Sequence, residues 1–304
     1  MSKKYVMGID IGGTNFRMGL VDEDYNMEQF VHHKTKKTFQ GDAMGNFTAI
    51  VKDYLAANSS YDVALIAIGV PGWVNKDHSY VYSIAKIPGL GDNDLGRIVS
   101  EATGIPTYVG NDINALLMKD IVMLGLDPDR NKTILGFYIG TGFGNAIYID
   151  GKLHLGKHGV AAEIGHTSLY GVTDLCNCGR PGHVETRASG WTLSRIRDAR
   201  YPELDIDEMY PAHPDDPRLL QFAKDCALPV ANEITLLDPD HIIIGGGVFR
   251  TIGFPFDLFE QEVRDLTLHP YPSEDLEFIY SEDAQSNGVI GNGIIGHDVL
   301  KGRA

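Results

Sequence analysis

The stretch KYVMGIDIGGTNFRMGLVD, Lys4 to Asp22, has a counterpart in KTILGFYIGTGFGNAIYID, Lys132 to Asp150, and the two align without a gap. Lys4/Lys132, Gly8/Gly136, Ile11/Ile139, Gly12/Gly140 and Asp22/Asp150 coincide, and the flanking apolar positions match in character. Each copy predicts a β-branched strand, a tight Gly-rich turn and a second strand ending at aspartate. Glycines at such turns permit φ > 0 and let another group approach the backbone closely. One such hairpin says little. Two matched copies, each opening a βαβ-like half, predict a duplicated α/β chain whose two turns face one shared cleft.

The rest of each half agrees with this pattern. Asp62 to Val70, DVALIAIGV, is the nearly continuous apolar run of a buried parallel strand. Asn111 and Asp112 precede Ile113, Leu116, Leu117, Ile121 and Leu124, which is helical spacing with a polar residue in the N-cap zone. Phe222 to Leu237 predicts a helix, Pro229 notwithstanding, leading through Asp238-Pro239 to the buried strand HIIIGGGV. Gly288 to Leu300 predicts a closing helix. The expected division is an N-terminal lobe over 1–117 and a C-terminal lobe over 118–288, with the end of the chain, 289–304, packing back on the first lobe. No low-complexity linker separates them.

A chain of 304 residues has room for two such lobes, and its 43% apolar and 22% charged content is that of a globular protein. With 26 Lys+Arg against 41 Asp+Glu the net charge is −15, which disfavours nucleic acid and anionic membrane as partners. The start, MSKKYVMGIDIGG, lacks a secretory signal, and no apolar run approaches the ~18 residues of a membrane helix. Three cysteines fit a reducing compartment better than a disulfide framework. The expected location is the cytoplasm.

The turns carry phosphate chemistry. Asp10-Ile11-Gly12-Gly13-Thr14 offers a carboxylate, backbone N–H groups and a hydroxyl within one turn. Nests of this kind hold phosphate oxygens, with the acid placed to hold Mg²⁺ directly or through water. Gly140-Thr141-Gly142 repeats the offer without the acid, and Gly245-Gly246-Gly247 gives a third close-approach surface suited to a flat ring such as adenine. No G-x-x-x-x-G-K-[ST] is present, and Gly140-x-Gly142-x-Gly144 misses the dinucleotide spacing, against NAD. Singly, each set reads as a structural turn; together they predict nucleotide binding. Asp112 stands where the helix dipole favours an ionised carboxylate. It either caps its helix or serves as the base that accepts a hydroxyl proton during phosphoryl transfer.

EIGHTSLYGVTDLCNCGRPGHVE, 163–185, gathers His166, Cys176, Cys178 and His183, two imidazoles and two thiolates, the donors of a tetrahedral zinc. Four protein ligands leave no open position, so such a zinc is structural, with His166 expected to reach in from a preceding strand. The C-x-x-C redox spacing is absent; the alternative is a pair of free cysteines in a Gly-rich loop. Glu163 and Glu185 flank the clip as acceptors for sugar hydroxyls, and the second ring nitrogen of a metal-bound His166 can bond another hydroxyl.

With these residues in hand, the sequence resembles the ROK family (repressor, open reading frame, kinase) over essentially its whole length. The resemblance rests on DIGGT (10–14), NDINA (111–115), IGTGFG (139–144), EIGH (163–166), CNCGRPGHVE (176–185) and LLDPDHIIIGGGV (236–248). It implies a duplicated actin-like, hexokinase-like (ribonuclease H-like) ATPase fold of two lobes around a cleft, ATP with Mg²⁺ as donor, a hexose as acceptor and a homodimer. It further implies that Asp112 is the base and that Asn111, Glu163, His166 and Glu185 contact the sugar beside the zinc. KHGVAAEIGH (157–166), the LLDPDHIIIGGGVF run and FPFDLF (254–259) are most similar to D-allose kinases. Glucokinases, fructokinases and N-acylhexosamine kinases share the same contact residues.

Two departures stand out. His183 replaces a cysteine of the zinc set, and zinc accepts imidazole readily. SIAKIPGL (83–90) puts Lys86 where an asparagine is expected, near the sugar or as a solvated loop lysine. Repressors of the family carry a helix-turn-helix domain before DIGGT; only nine residues precede Asp10 here, so DNA binding is not expected. Against a sugar sensor without kinase activity stand the intact Asp10, Asp112, Glu163 and Glu185.

Overall fold

The computed structural model describes residues 3–303 except 85, 86 and 88, so Lys86 lies outside the described residues. The chain divides into two units, Met1–Pro128 with Lys152–Ala161 and Ala284–Ala304, and Asp129–Gly151 with Ala162–Asp283. No helix among the described residues is long and apolar enough to cross a membrane.

In the first unit the chain runs β1 (Lys4–Ile11), β2 (Asn15–Val21), β3 (Met27–Lys34), a one-turn α1 (Thr35–Thr38), α2 (Ala43–Ala57) and β4 (Asp62–Val70). A small hairpin of β5 (Gly72–Val74) and β6 (Val81–Ile84) follows, then α3 (Leu95–Thr103), β7 (Thr107–Asn111) and α4 (Asp112–Met123). The main sheet has the order β3-β2-β1-β4-β7, with β1 antiparallel to β2 and β1, β4 and β7 mutually parallel. Met7, Ile9, Ile11 and Phe16 meet Phe47 and Val51 of α2 in a fully buried core.

The second unit repeats the design. It contains β8 (Thr133–Ile139) and β9 (Phe143–Ile149); the two-residue β10 (Lys152–Leu153) follows in the chain. Then come α5 (Gly190–Arg200), α6 (Ile206–Ala212), α7 (Pro217–Leu237), β11 (His241–Gly245), α8 (Phe256–Leu266) and β12 (Phe278–Tyr280). The order β9-β8-β11-β12 and its strand directions copy β2-β1-β4-β7. β9 starts and ends where the gapless alignment puts it, since Asn15 aligns with Phe143 and Val21 with Ile149. The pairing registers nevertheless differ by one residue. Ile11 faces Phe16, and Gly12 N–H donates to the Asn15 carbonyl (2.9 Å), closing a tip of Gly13 and Thr14. Ile139 faces Phe143, leaving the longer tip Gly140–Gly142.

Helix α7 begins at Pro217, earlier than the expected Phe222. Asp216 caps it by accepting from the N–H groups of Arg218 (2.8 Å) and Leu219 (3.2 Å), and proline suits the first helical position. Helix α9 (Asn287–Leu300) belongs to the first unit. It lies so close to β1 that a Cβ on Gly8 would stand 2.2 Å from the Val289 carbonyl oxygen. Asn292 on α9 donates to the carbonyl of Ile9 (3.0 Å). Against α4 the approach is closer still, a Cβ on Gly291 meeting the Ala115 carbonyl at 1.9 Å. This packing keeps all of α4 with the first unit and moves the boundary from the expected 117/118 to Pro128.

Glu233 of α7 is 6% exposed, and its Oε2 accepts from Asn145 Nδ2 of β9 (2.7 Å). Burial pushes its carboxyl up to about 7, with Asn145 working against that shift. The folded chain thus holds this proton more tightly than the unfolded one, so Glu233 weakens the fold as pH rises from the ordinary glutamate range through about 7. Glu233→Gln is expected to raise stability by about 3 kcal/mol at pH 8 and by little at pH 5. Urea melts at the two pH values check this; an equal gain at both would contradict it.

Candidate active site

In the first unit, register places the candidate residues at one end of the sheet. Asp10 on β1 faces Gly69 on β4, and Val70 faces Asn111 on β7, so Asp10 and Asn111 end parallel strands at their shared carboxyl edge. Ligands of open α/β sheets bind outside that edge. Asn111 caps α4, its Oδ1 accepting from Ile113 N–H (2.9 Å) while Nδ2 donates to the Gly72 carbonyl (3.2 Å). Asp112 is therefore the first residue of the helix and not its cap; it is half-buried, in the turn where the dipole favours its charged form.

Asp10 has a partner that its local sequence did not announce. Its Oδ2 accepts from Arg17 Nη1 at 3.0 Å. Burial pushes its carboxyl above the usual range, and the Arg17 guanidinium pulls it back down. Helix α9 presses on it from behind, because a Cβ on Gly288 would sit 2.4 Å from Asp10 Cγ. Thr35 braces the neighbouring tip. Its hydroxyl donates to the Gly12 carbonyl (2.7 Å) and its N–H to the Thr14 carbonyl (3.0 Å). Gly13 and Thr14 are exposed, and a Cβ on Gly13 would meet nothing within 4 Å.

In the second unit the Gly140–Gly142 tip is held by the start of α5. Gly190 and Trp191 donate their N–H groups to the carbonyls of Gly140 (2.8 Å) and Thr141 (3.0 Å). Ser189 caps that helix through Thr192 N–H (3.2 Å). Gly140 opens on empty space, whereas a Cβ on Gly142 would lie 2.4 Å from Glu185 Oε2, which accepts from Phe143 N–H (3.3 Å). Gly12, Gly13, Gly140 and Gly142 all avoid positive φ, contrary to expectation. Room is required at Gly142, whereas at Gly13 and Gly140 a Cβ would meet nothing within 4 Å. Of the third glycine set, Gly246 does take φ +98°, and a Cβ there would stand 2.4 Å from the Ile139 carbonyl. Gly245 packs on the Tyr138 ring in the same way, at 2.8 Å, so strand β8 accounts for both. Only Gly247 has an open side, with Arg250 Nη2 at 3.7 Å.

Glu163 precedes a 3₁₀ turn, Ile164–His166, so His166 arrives from that turn and not from a strand as expected. Gly165 lies against Phe143, where a Cβ would stand 2.7 Å from its carbonyl oxygen. Glu163, His166 and Glu185 are thereby gathered around Phe143 at the carboxyl end of β8. The ligand atoms of His166, Cys176, Cys178 and His183 all lie within 4.8 Å of one another. Cys176 Sγ is 3.6 Å from His166 Nδ1, and Cys178 Sγ is 3.2 Å from His183 Nδ1. Nitrogen and sulfur donors at the vertices of a zinc tetrahedron stand roughly 3.3–3.8 Å apart, so the set fits one ion. Neither cysteine is in a disulfide, and burial pushes the Cys176 thiol up to about 11. With Nδ1 turned to the cysteines, His166 Nε2 stands 3.8 Å from Glu163 Oε2, side by side with it and too far for a hydrogen bond.

Comparison with known proteins places this arrangement. The sequence model of the ROK family matches residues 6–299. A glucokinase of Thermotoga maritima is 25% identical over 311 residues, covering 96% of each chain. An N-acetyl-D-glucosamine kinase of Histophilus somni is 28% identical over 258 residues, covering 79% of this chain and 83% of that one. The crystal structure of a ROK family glucokinase from Streptomyces griseus, in complex with glucose and AMPPNP, aligns with a TM-score of 0.77 at 25% identity, over 97% of this chain and 99% of that one. The fold is that of the actin-like ATPases to which ROK hexokinases and glucokinases belong. With nearly every residue inside the family match, the chain belongs to the ROK family.

Proposed function

We propose that the chain is an ATP-dependent hexose kinase that transfers the γ-phosphoryl group to the 6-hydroxyl of an aldohexose, D-allose in the first place. Glucose, fructose and N-acylhexosamines are the alternatives within the same chemistry. The observation that carries this is the division of labour at the start of α4. Asn111 supplies the cap, and Asp112 stands beside it as a half-buried carboxylate in the first turn of the helix, at the sheet edge where Asp10 also ends its strand.

Phosphoryl transfer demands positioning and neutralisation of charge more than covalent chemistry. Asp112 accepts the proton of the 6-hydroxyl as its oxygen attacks. Asn111, Glu163, His166 and Glu185 orient the sugar. Gly12, Gly13, Thr14, Gly140, Thr141 and Gly142 hold the phosphates, and Gly245–Gly247 the adenine. Asp10 holds Mg²⁺, directly or through water, and that ion offsets the phosphate charge. His166, Cys176, Cys178 and His183 hold a structural zinc, which fixes the orientation of His166 and the loop leading to Glu185.

An ADP-release assay across D-allose, glucose, mannose, fructose and N-acetylated hexosamines tests the proposal. The expected result is sugar-dependent turnover, with D-allose giving the highest kcat/KM. No stimulation by any of these sugars would refute it. Gly142→Ala is a finer check, because its methyl displaces the flexible end of Glu185 without touching the core. KM for the sugar should rise about tenfold, one lost hydrogen bond to a charged group, at nearly unchanged thermal stability. An unchanged KM would remove Glu185 from the sugar site.

A further inference from the structure

Helix α5 begins on the Gly140–Gly142 tip. Gly190 and Trp191 give their N–H groups to its carbonyls, and a Cβ on Gly190 would stand 3.5 Å from Thr141 Cα. The next turn carries Arg195, exposed, with its guanidinium carbon 5.0 Å from the centre of the Trp191 ring. Residues four apart share one face of a helix, and helical side chains lean toward its N-terminus. The indole and the guanidinium stacked on it are therefore carried toward the tip.

Arg195 differs from the other arginines of this helix. Arg197 pairs with Asp198 and Arg200 with Asp216, each at 2.7 Å. Among the described residues no carboxylate pairs with Arg195, and its partner is the indole. Stacking occupies a face of the guanidinium plane. The N–H groups point outward within that plane, as the fork that grips two oxygens of a phosphate. Resting on Trp191 also removes side-chain freedom that an arginine would otherwise lose on meeting a ligand.

A phosphate on this tip needs such a cation. Gly140-Thr141-Gly142 has no charge of its own, and the Glu185 carboxylate passes beside Gly142. Gly246, in the proposed adenine surface, packs on Ile139 immediately before the tip. The phosphates nearest the adenine, those that ADP and ATP share, accordingly fall to this tip.

We propose that Arg195 is a phosphate-binding residue of the second unit, held on Trp191 so that its guanidinium meets a phosphate shared by ADP and ATP. This assignment rests on the nucleotide reading of the Gly140–Gly142 tip.

Titration calorimetry of the full chain with ADP and Mg²⁺, and with adenosine as the probe without phosphate, tests it. Arg195→Gln should weaken ADP about tenfold, the loss of a charge-assisted bond, and leave adenosine unchanged. Added salt should weaken ADP more in the wild type than in Arg195→Gln. Arg195→Lys, which keeps the charge without the planar fork, should fall between the two. The melting temperature of Arg195→Gln should stay close to that of the wild type, because the side chain is exposed. Equal ADP affinity in the wild type and Arg195→Gln would overturn the assignment and leave the kinase reading standing. An equal loss for ADP and adenosine would overturn it too, by making Arg195 a support of the pocket wall. A wild type that binds no ADP would overturn it together with the nucleotide reading.

Discussion

Asp112→Asn is expected to lower kcat for the preferred hexose by about 10³-fold, within the range that a positioned general base supplies. The replacement keeps the size of the side chain and removes only its ability to take a proton. The fold should hardly notice. Asn111, not Asp112, caps the α4 terminus, so the replacement leaves that cap in place and gives up a favourable charge near the helix dipole, about 0.3–1 kcal/mol. In a chain of this size that lowers the melting temperature by only a few degrees, about 2–4 °C per kcal/mol. The sugar KM should stay within a few-fold, because the amide still hydrogen-bonds the hydroxyl. Asn111→Ala gives the opposite signature. It removes the cap and the bond to the Gly72 carbonyl, costing about 1–2 kcal/mol. Steady-state kinetics and thermal melts on both variants separate the roles. Retention of more than a tenth of wild-type kcat by a folded Asp112→Asn would remove Asp112 as the base.

The second large effect concerns the Cys/His set. Protein washed with a chelator is expected to keep close to one zinc per chain, since structural zinc binds tightly. Cys176→Ser should lose it. Cys176 is 2% exposed and its sulfur lies 3.6 Å from His166 Nδ1 and 3.9 Å from Glu185, so the loss reaches two proposed sugar contacts together. A fall in stability of about 3 kcal/mol, roughly 10 °C, and a rise of at least tenfold in sugar KM are expected. His183→Cys keeps four ligands and should retain both metal and KM. Metal analysis beside the kinetics reads all three. Less than half an equivalent of zinc in washed wild-type protein would contradict the four-ligand clip.

The duplicated hairpin was legible because identical glycines fall at identical offsets, and both β2 and β9 start and stop where the alignment puts them. The one-residue difference in register was not legible. It depends on whether the residue after the tip, Asn15 or Phe143, closes the turn or joins the ladder, and a gapless alignment is blind to that. Asn111 and Asp112 are both good caps, so the choice between them waited for the dihedrals and the Ile113 amide. The positive φ expected of the turn glycines is absent at Gly12, Gly13, Gly140 and Gly142. Gly142 is needed because Glu185, far along the chain, passes beside it, and no local pattern records that contact. The same holds for Gly288 behind Asp10 and for Asn145 against Glu233, which are joined only by tertiary packing. Arg17 was within sight of Asp10, but a charge alternating along an antiparallel strand reads equally well as a solvated one. The family likeness marks the chemistry of the site; the sugar it prefers depends on side-chain positions that the motifs share across several substrates.

The most direct measurement is the position of the phosphate in the product. D-allose incubated with ATP, Mg²⁺ and the wild-type chain should yield a single phosphorylated sugar whose phosphorus couples, by NMR, to the two protons on C6. Release of inorganic phosphate with the sugar unmodified, or a phosphate on C1, would contradict attack by the 6-hydroxyl on the γ-phosphorus under the control of Asp112.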